Sequence, residues 1–313
     1  MNQVTRRSFF RVSAAGLLAG GAVLSGNFTP STGITPEASA ETFRGTLKKS
    51  MYWGMLPEKD SQGKSLSVDD RFALMRRIGL DGVEIPTLED SGTVAEFKAA
   101  SKKNGVPIHS IMNQKHWKYP FSSTDPETVK TGMQGMETSL RNAQELGAST
   151  VLLVPAVVNP ETSYRDAYER SRIHINELLP LAKELNVVIA IENVWNKFLL
   201  SPLEFARYVD DFKSPFLRAY FDVGNIVLYG YPQDWIRTLG NRIVKVHVKG
   251  FDANKKEFTN LGDDTFDWLE VRRAFSDIGY NGFINAELGD GDEAYLTDIS
   301  RRMDNIIAGK PVK

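Results

Sequence analysis

The chain has no cysteine in 313 residues. Disulfide frameworks and thiolate chemistry are therefore excluded, and the fold must rest on an ordinary buried core. Charge of one sign is lacking as well, since 38 Lys and Arg face 39 Asp and Glu, a formal net of −1. So balanced a chain presents no basic footprint, which argues against DNA or RNA as a partner. Histidine is scarce, with four in all. No apolar run is followed by a G-x-G-x-x-G turn, so the usual dinucleotide-binding signature is missing. The most apolar N-terminal stretch, residues 12–24, is rich in Ala and Gly and falls short of the about 18 residues needed to span a bilayer.

What is present begins with a targeting pattern. Thr5-Arg6-Arg7-Ser8-Phe9-Phe10-Arg11 is a twin-arginine signature, and Ala38-Ser39-Ala40 is a small-residue cleavage site. Residues 1–40 are read as an export signal, with a mature periplasmic protein starting at Glu41 and no stable membrane anchor after cleavage. Losing Arg6, Arg7 and Arg11 against Glu37 removes a net +2 and takes the chain from −1 to −3. Twin-arginine export carries folded proteins, often with a cofactor already loaded, which hints at a metal.

Beyond residue 45 there is no internal repeat, low-complexity tract or interdomain linker. Short apolar runs at 50–55, 82–85, 107–112, 150–155, 187–193, 218–223, 243–249 and 282–288 predict eight strands. Amphipathic stretches with helix start signals lie between them, such as Ser67 before Val68 and Asp125-Pro126-Glu127 before a long helix to Leu146. Strands alternating with helices imply a parallel sheet with right-handed crossovers. Eight such units in residues 41–313 match a single-domain α/β (β/α)₈ TIM barrel. An open doubly wound sheet is the runner-up.

Four successive predicted strands, the fifth to the eighth, end in a metal-competent side chain: Glu192 in IAIENVW, Asp222 in AYFDVGN, His247 in KVHVKGF and Glu287 in INAELGD. In a barrel the C-terminal strand ends converge on one mouth. Pleat parity places Ala190, Tyr220, Lys245 and Asn285 on the same face as these four. Singly, such an acid is more often a helix cap and such a His a core residue. Together, three carboxylates repel one another unless a cation joins them. Three oxygen donors and one imidazole suit one divalent ion, Mn²⁺ foremost, with Co²⁺ or Mg²⁺ as alternatives.

The runs IEN, FDVGN, KVHVKG and NAEL resemble the sugar isomerase and epimerase superfamily with the xylose isomerase-like barrel, which includes the D-tagatose 3-epimerase and hydroxypyruvate isomerase branches. The resemblance spans the mature chain. It implies that Glu192, Asp222, His247 and Glu287 are the metal ligands and that Glu192 and Glu287 double as the acid/base pair. Such a pair suits proton transfer next to a carbonyl through a metal-bound enediolate, since one carboxylate removes the proton and the other returns it. The chain departs from the epimerase branches at Asn225, where they carry His, and at Lys249 and Lys255, where an Arg is usual.

Glu84, His109, Trp195, Asn225 and Lys249 are further candidates for substrate binding. Trp53 and the His116-Trp117 pair offer additional flat faces, and His174 reads as structural. The expected partner is a small sugar or keto-sugar. Export and the acidic run GDGDEAY after the last strand both argue against a phosphorylated one. Three functions are expected in order: a metal-dependent epimerase or isomerase, a keto-sugar or keto-glycoside lyase or dehydratase acting by β-elimination, and a non-catalytic carbohydrate-binding barrel. The sequence leaves a homo-oligomer open.

Overall fold

The computed structural model describes residues 42–312. The export signal called at 1–40 lies outside the described residues. Eight strands close into a parallel barrel: β1 (Leu47–Tyr52), β2 (Gly82–Pro86), β3 (Ile108–Met112), β4 (Thr150–Leu153), β5 (Val188–Glu192), β6 (Leu217–Asp222), β7 (Ile243–Val248) and, after a small hairpin, β10 (Gly282–Ala286), which pairs with both β7 and β1. The strands are short and rich in Val, Ile, Ala and Phe because both faces are covered, by the barrel interior on one side and by helices on the other.

Helices α1 (Val68–Arg77), α2 (Ser91–Asn104), α3 (Pro126–Leu146), α4 (Tyr164–Leu185), α5 (Pro202–Asp210), α6 (Pro232–Leu239), α7 (Trp268–Asp277) and α8 (Glu293–Ala308) form the outer layer. Their ends follow local chemistry. Ser67 and Asp70 make a reciprocal capping box on α1, and Asp125 accepts from Glu127 and Thr128 ahead of Pro126 on α3. Gly105 and Gly147 close α2 and α3 in the left-handed conformation that a Cβ disfavours. Among the described residues, no helix is long and apolar enough to cross a membrane.

Two elements differ from the sequence expectation. The first strand starts earlier and stops at Tyr52, because residues 53–55 form a short 3-10 turn. Trp53 swings against Phe97 and Phe72, with ring centroids 4.6 and 5.5 Å away, and the Arg71 guanidinium caps the Trp53 and Leu56 carbonyls. Trp53 is thereby a core residue of the α1–α2 layer. The second difference is an antiparallel hairpin, β8 (Gly250–Asp252) with β9 (Glu257–Thr259), inserted after β7. It is too short to carry a periodic signal.

Candidate metal centre and active site

Register turns four separated motifs into neighbours. Glu192 pairs with Tyr220, Asp222 with His247, and His247 with Asn285, two residues before Glu287. Glu192 and Asp222 are the last residues of β5 and β6, His247 is the penultimate residue of β7, and Glu287 follows β10 directly. One donor atom from each of the four lies within 4.8 Å of every other. An octahedral ion with about 2.1 Å bonds separates opposite ligands by about 4.2 Å, so the cluster is of coordinating size.

The donor chemistry also fits a cation. Asp222 Oδ1 accepts from the Asn225 N–H at 2.8 Å, but the fully buried Oδ2 accepts no hydrogen bond among the described residues. The Lys249 ammonium stands 3.0 Å from that oxygen as an ion pair without hydrogen-bond alignment. It also contacts Glu287 Oε2. His247 turns Nδ1 toward the cluster, 2.8 Å from Glu192 Oε1, 3.5 Å from Glu287 Oε2 and 3.9 Å from Asp222 Oδ2. Its other nitrogen, Nε2, lies 2.7 Å from Glu84 Oε1. Were His247 to hold a metal through Nδ1, Nε2 would keep the proton and donate it to Glu84, as metal-binding imidazoles do to an outer carboxylate.

The carboxylates are electrostatically unequal. Burial raises the proton affinity of Glu192 and of Asp222 above the ordinary carboxylate range, although His247 and Lys249, respectively, oppose it. At Glu287 burial acts in the same direction but is outweighed by His247 and Lys249, so its pKa falls below the ordinary value. Burial also works against a charged imidazole, yet Glu84, Glu287 and Glu192 hold the His247 pKa well above its usual value.

Of the expected substrate contacts, Lys249 reaches the cluster and lines a cavity of about 540 Å³ together with Phe258, Thr259, Asn260, Glu287, Leu288 and Gly289. Trp195 is half-exposed at the rim. It stacks on Phe258 from the hairpin at 4.8 Å, and its Nε1–H donates to the Asn225 carbonyl. Three further candidates are held by contacts within the protein. Glu84 has no exposed surface and accepts from Tyr220 Oη at 2.8 Å and Asn285 Nδ2 at 3.3 Å, so it buttresses His247 from beneath. His109 bonds Ser50 Oγ and stacks at 4.0 Å on Phe283, which sits four residues, two interior layers, below Glu287. Asn225 spends its amide on the Asn193 carbonyl and its N–H on Asp222, bracing the loop after β6.

Asn193 and Tyr220 were missed as site supports. The Asn193 side chain exchanges two 2.8 Å hydrogen bonds with the Asp222 backbone. Tyr220 had a usable signal, because a phenol on an inward-facing strand position needs a polar partner. Elsewhere, His116 is buried against the Val154 N–H, Trp117 is half-exposed, and His174 pairs with Glu177 on the surface of α4.

The xylose isomerase-like TIM barrel family matches residues 72–305, which takes in all four donors. The chain belongs to this family. Among curated members of related sequence, the putative L-ribulose-5-phosphate 3-epimerase SgbU of Escherichia coli K12 is 25% identical over 246 residues, covering 72% of this chain and 85% of that protein. The xylose isomerase-like barrel is likewise shared with solved structures. The E. coli 3-keto-D-glucoside 4-epimerase YcjR superposes with a TM-score of 0.68 at 16% identity, over 82% of this chain and 97% of its own. D-psicose 3-epimerase of Clostridium cellulolyticum H10, solved with D-tagatose, gives 0.63 at 18% identity, over 84% and 94%.

Proposed function

We propose that the protein is a sugar epimerase or isomerase that moves a proton on the carbon beside a carbonyl, with Glu192 and Glu287 as the two proton carriers. One observation carries this reading: Glu192 at the end of β5 and Glu287 just after β10 bring two carboxylates into one donor cluster. One of the two takes the proton from the carbon and the other gives one back on the opposite face. The two stand three strand positions apart around the barrel, so they reach a substrate between them from different sides, as inversion of a centre requires. A divalent ion held by Glu192, Asp222, His247 and Glu287 would polarise the carbonyl and acidify the adjoining C–H; Mn²⁺, Co²⁺ and Mg²⁺ suit the donors. The names of SgbU and YcjR, both epimerases, support the reaction class.

An unphosphorylated substrate is favoured. Among the described residues, Lys249 is the one cationic side chain lining the cavity beside the donors, and it is already tied to Asp222 and Glu287. Asp290 and Asp292 follow in the adjoining loop. The export pattern at 1–40 accords with a periplasmic sugar or keto-sugar, and fusion of those residues to a twin-arginine reporter tests it.

Elimination is a second reading, favoured by Asn225, whose Nδ2 donates to the Asn193 carbonyl where the epimerase branches carry an ionisable His. One experiment separates the two. Mn²⁺-loaded protein is incubated in D₂O with ketoses and 3-keto-glycosides and followed by NMR. Deuterium entering beside the carbonyl without cleavage is the expected result, whereas aglycone release assigns the lyase. Absence of both, with Glu287→Gln leaving metal and sugar binding unchanged, refutes catalysis.

A further inference from the structure

Lys249 touches the same oxygens that face the metal-competent imidazole. Its ammonium contacts Glu287 Oε2 and lies 3.0 Å from Asp222 Oδ2, the two atoms 3.5 and 3.9 Å from His247 Nδ1. Such a seat is built rather than incidental. The Lys249 stem lies against Gly224, where an added Cβ would come within 2.6 Å of Lys249 Cγ and 2.8 Å of its carbonyl oxygen. On the other side the ammonium sits 5.2 Å from the centre of the Phe258 ring, within cation–π range. The lysine side chain is 13% exposed, so solvent screens it little.

A fixed positive charge that shares two carboxylates with a divalent ion both repels the ion and competes for its ligands. Three carboxylates around one imidazole make a site of high negative charge, and such sites bind divalent ions tightly when nothing offsets them. We propose that Lys249 is the affinity-limiting residue of this centre: it offsets one of the three carboxylate charges and keeps the divalent ion exchangeable. The inference rests on the four donors being a divalent-ion site, and it adds a role for a residue that is not itself a ligand. Gly224 in FDVGN and Lys249 in HVKG are thus one device, the glycine making room for the lysine stem.

The test is Mn²⁺ binding by calorimetry to chelator-stripped wild type, Lys249→Met and Lys249→Arg. Lys249→Met should bind Mn²⁺ at least tenfold more tightly than wild type, and Lys249→Arg, which keeps the charge, should stay within about threefold. Because removing the ammonium leaves the carboxylates crowded, Lys249→Met is also melted with and without Mn²⁺. A larger Mn²⁺-induced rise in melting temperature than in wild type supports the proposal even where the apo variant is too unstable for calorimetry. Equal or weaker Mn²⁺ binding by Lys249→Met, with wild type binding normally, overturns this inference alone. Failure of all three proteins to bind Mn²⁺ overturns the metal site together with it.

Discussion

Replacing Glu84 by Gln isolates the support beneath the metal-competent imidazole. Glu84 is fully buried and accepts three hydrogen bonds, from His247 Nε2 at 2.7 Å, Tyr220 Oη at 2.8 Å and Asn285 Nδ2 at 3.3 Å. Gln preserves the shape but not the charge, so the bond to His247 drops from a charge-assisted one to a neutral one. Charge-assisted bonds contribute about 1.5–3 kcal/mol and neutral ones about 0.5–1.5, a loss of about 1–2 kcal/mol in holding the imidazole as a ligand. Every 1.36 kcal/mol is tenfold, so the Mn²⁺ dissociation constant should rise about five- to thirtyfold. The amide also places a donor against Tyr220, which must turn its hydroxyl round, so a modest fall in stability accompanies the change. Calorimetric titration with Mn²⁺, beside urea melts of the apo protein, reads the two effects separately. If stability falls but the Mn²⁺ affinity stays within twofold of wild type, Glu84 fills space without tuning His247, and the reasoning fails.

Three further outcomes are expected. Glu192→Gln and Glu287→Gln should each lower proton exchange into substrate by about 10²- to 10⁴-fold in D₂O, and retention of the wild-type rate by either removes it from the proton-carrying pair. Trp195→Ala should raise KM about two- to tenfold with kcat little changed, the scale of one aromatic contact, and an unchanged KM excludes Trp195 as a sugar platform. Lys245, almost fully buried in the barrel and 5.1 Å from the Phe283 ring centre, has its pKa lowered by burial to about 8 from 10.5. Between those values the unfolded chain binds more protons, so wild type should gain stability relative to Lys245→Met as pH rises from 8 to 10.5. The gain is at most about 3 kcal/mol, and urea melts showing a parallel pH dependence for the two proteins would contradict it.

The sequence alone determined the barrel, since eight apolar runs alternating with capped helices leave one economical closure, and each expected strand overlaps a strand found. It also determined the position of Glu192, Asp222, His247 and Glu287 in the fold, because an ionisable residue at the C-terminal end of a barrel strand has one mouth to point into. Periodicity carries no depth, however, and depth separated the remaining candidates. Glu84 and Lys249 are both charged residues near strand ends, yet one lies under His247 without exposure and the other stands beside the cavity. His109 faces inward as expected but is buried below the strand ends, bonded to Ser50 in register with Asn285 and stacked on Phe283. The β8–β9 hairpin that brings Phe258 over Lys249 and onto Trp195 comes from two three-residue strands, too short for any pattern, and exists through their mutual pairing and aromatic contacts. What tertiary structure decided is which charges share a dielectric and a distance. Only that contact separates an acid of the donor cluster from a buttress beneath it.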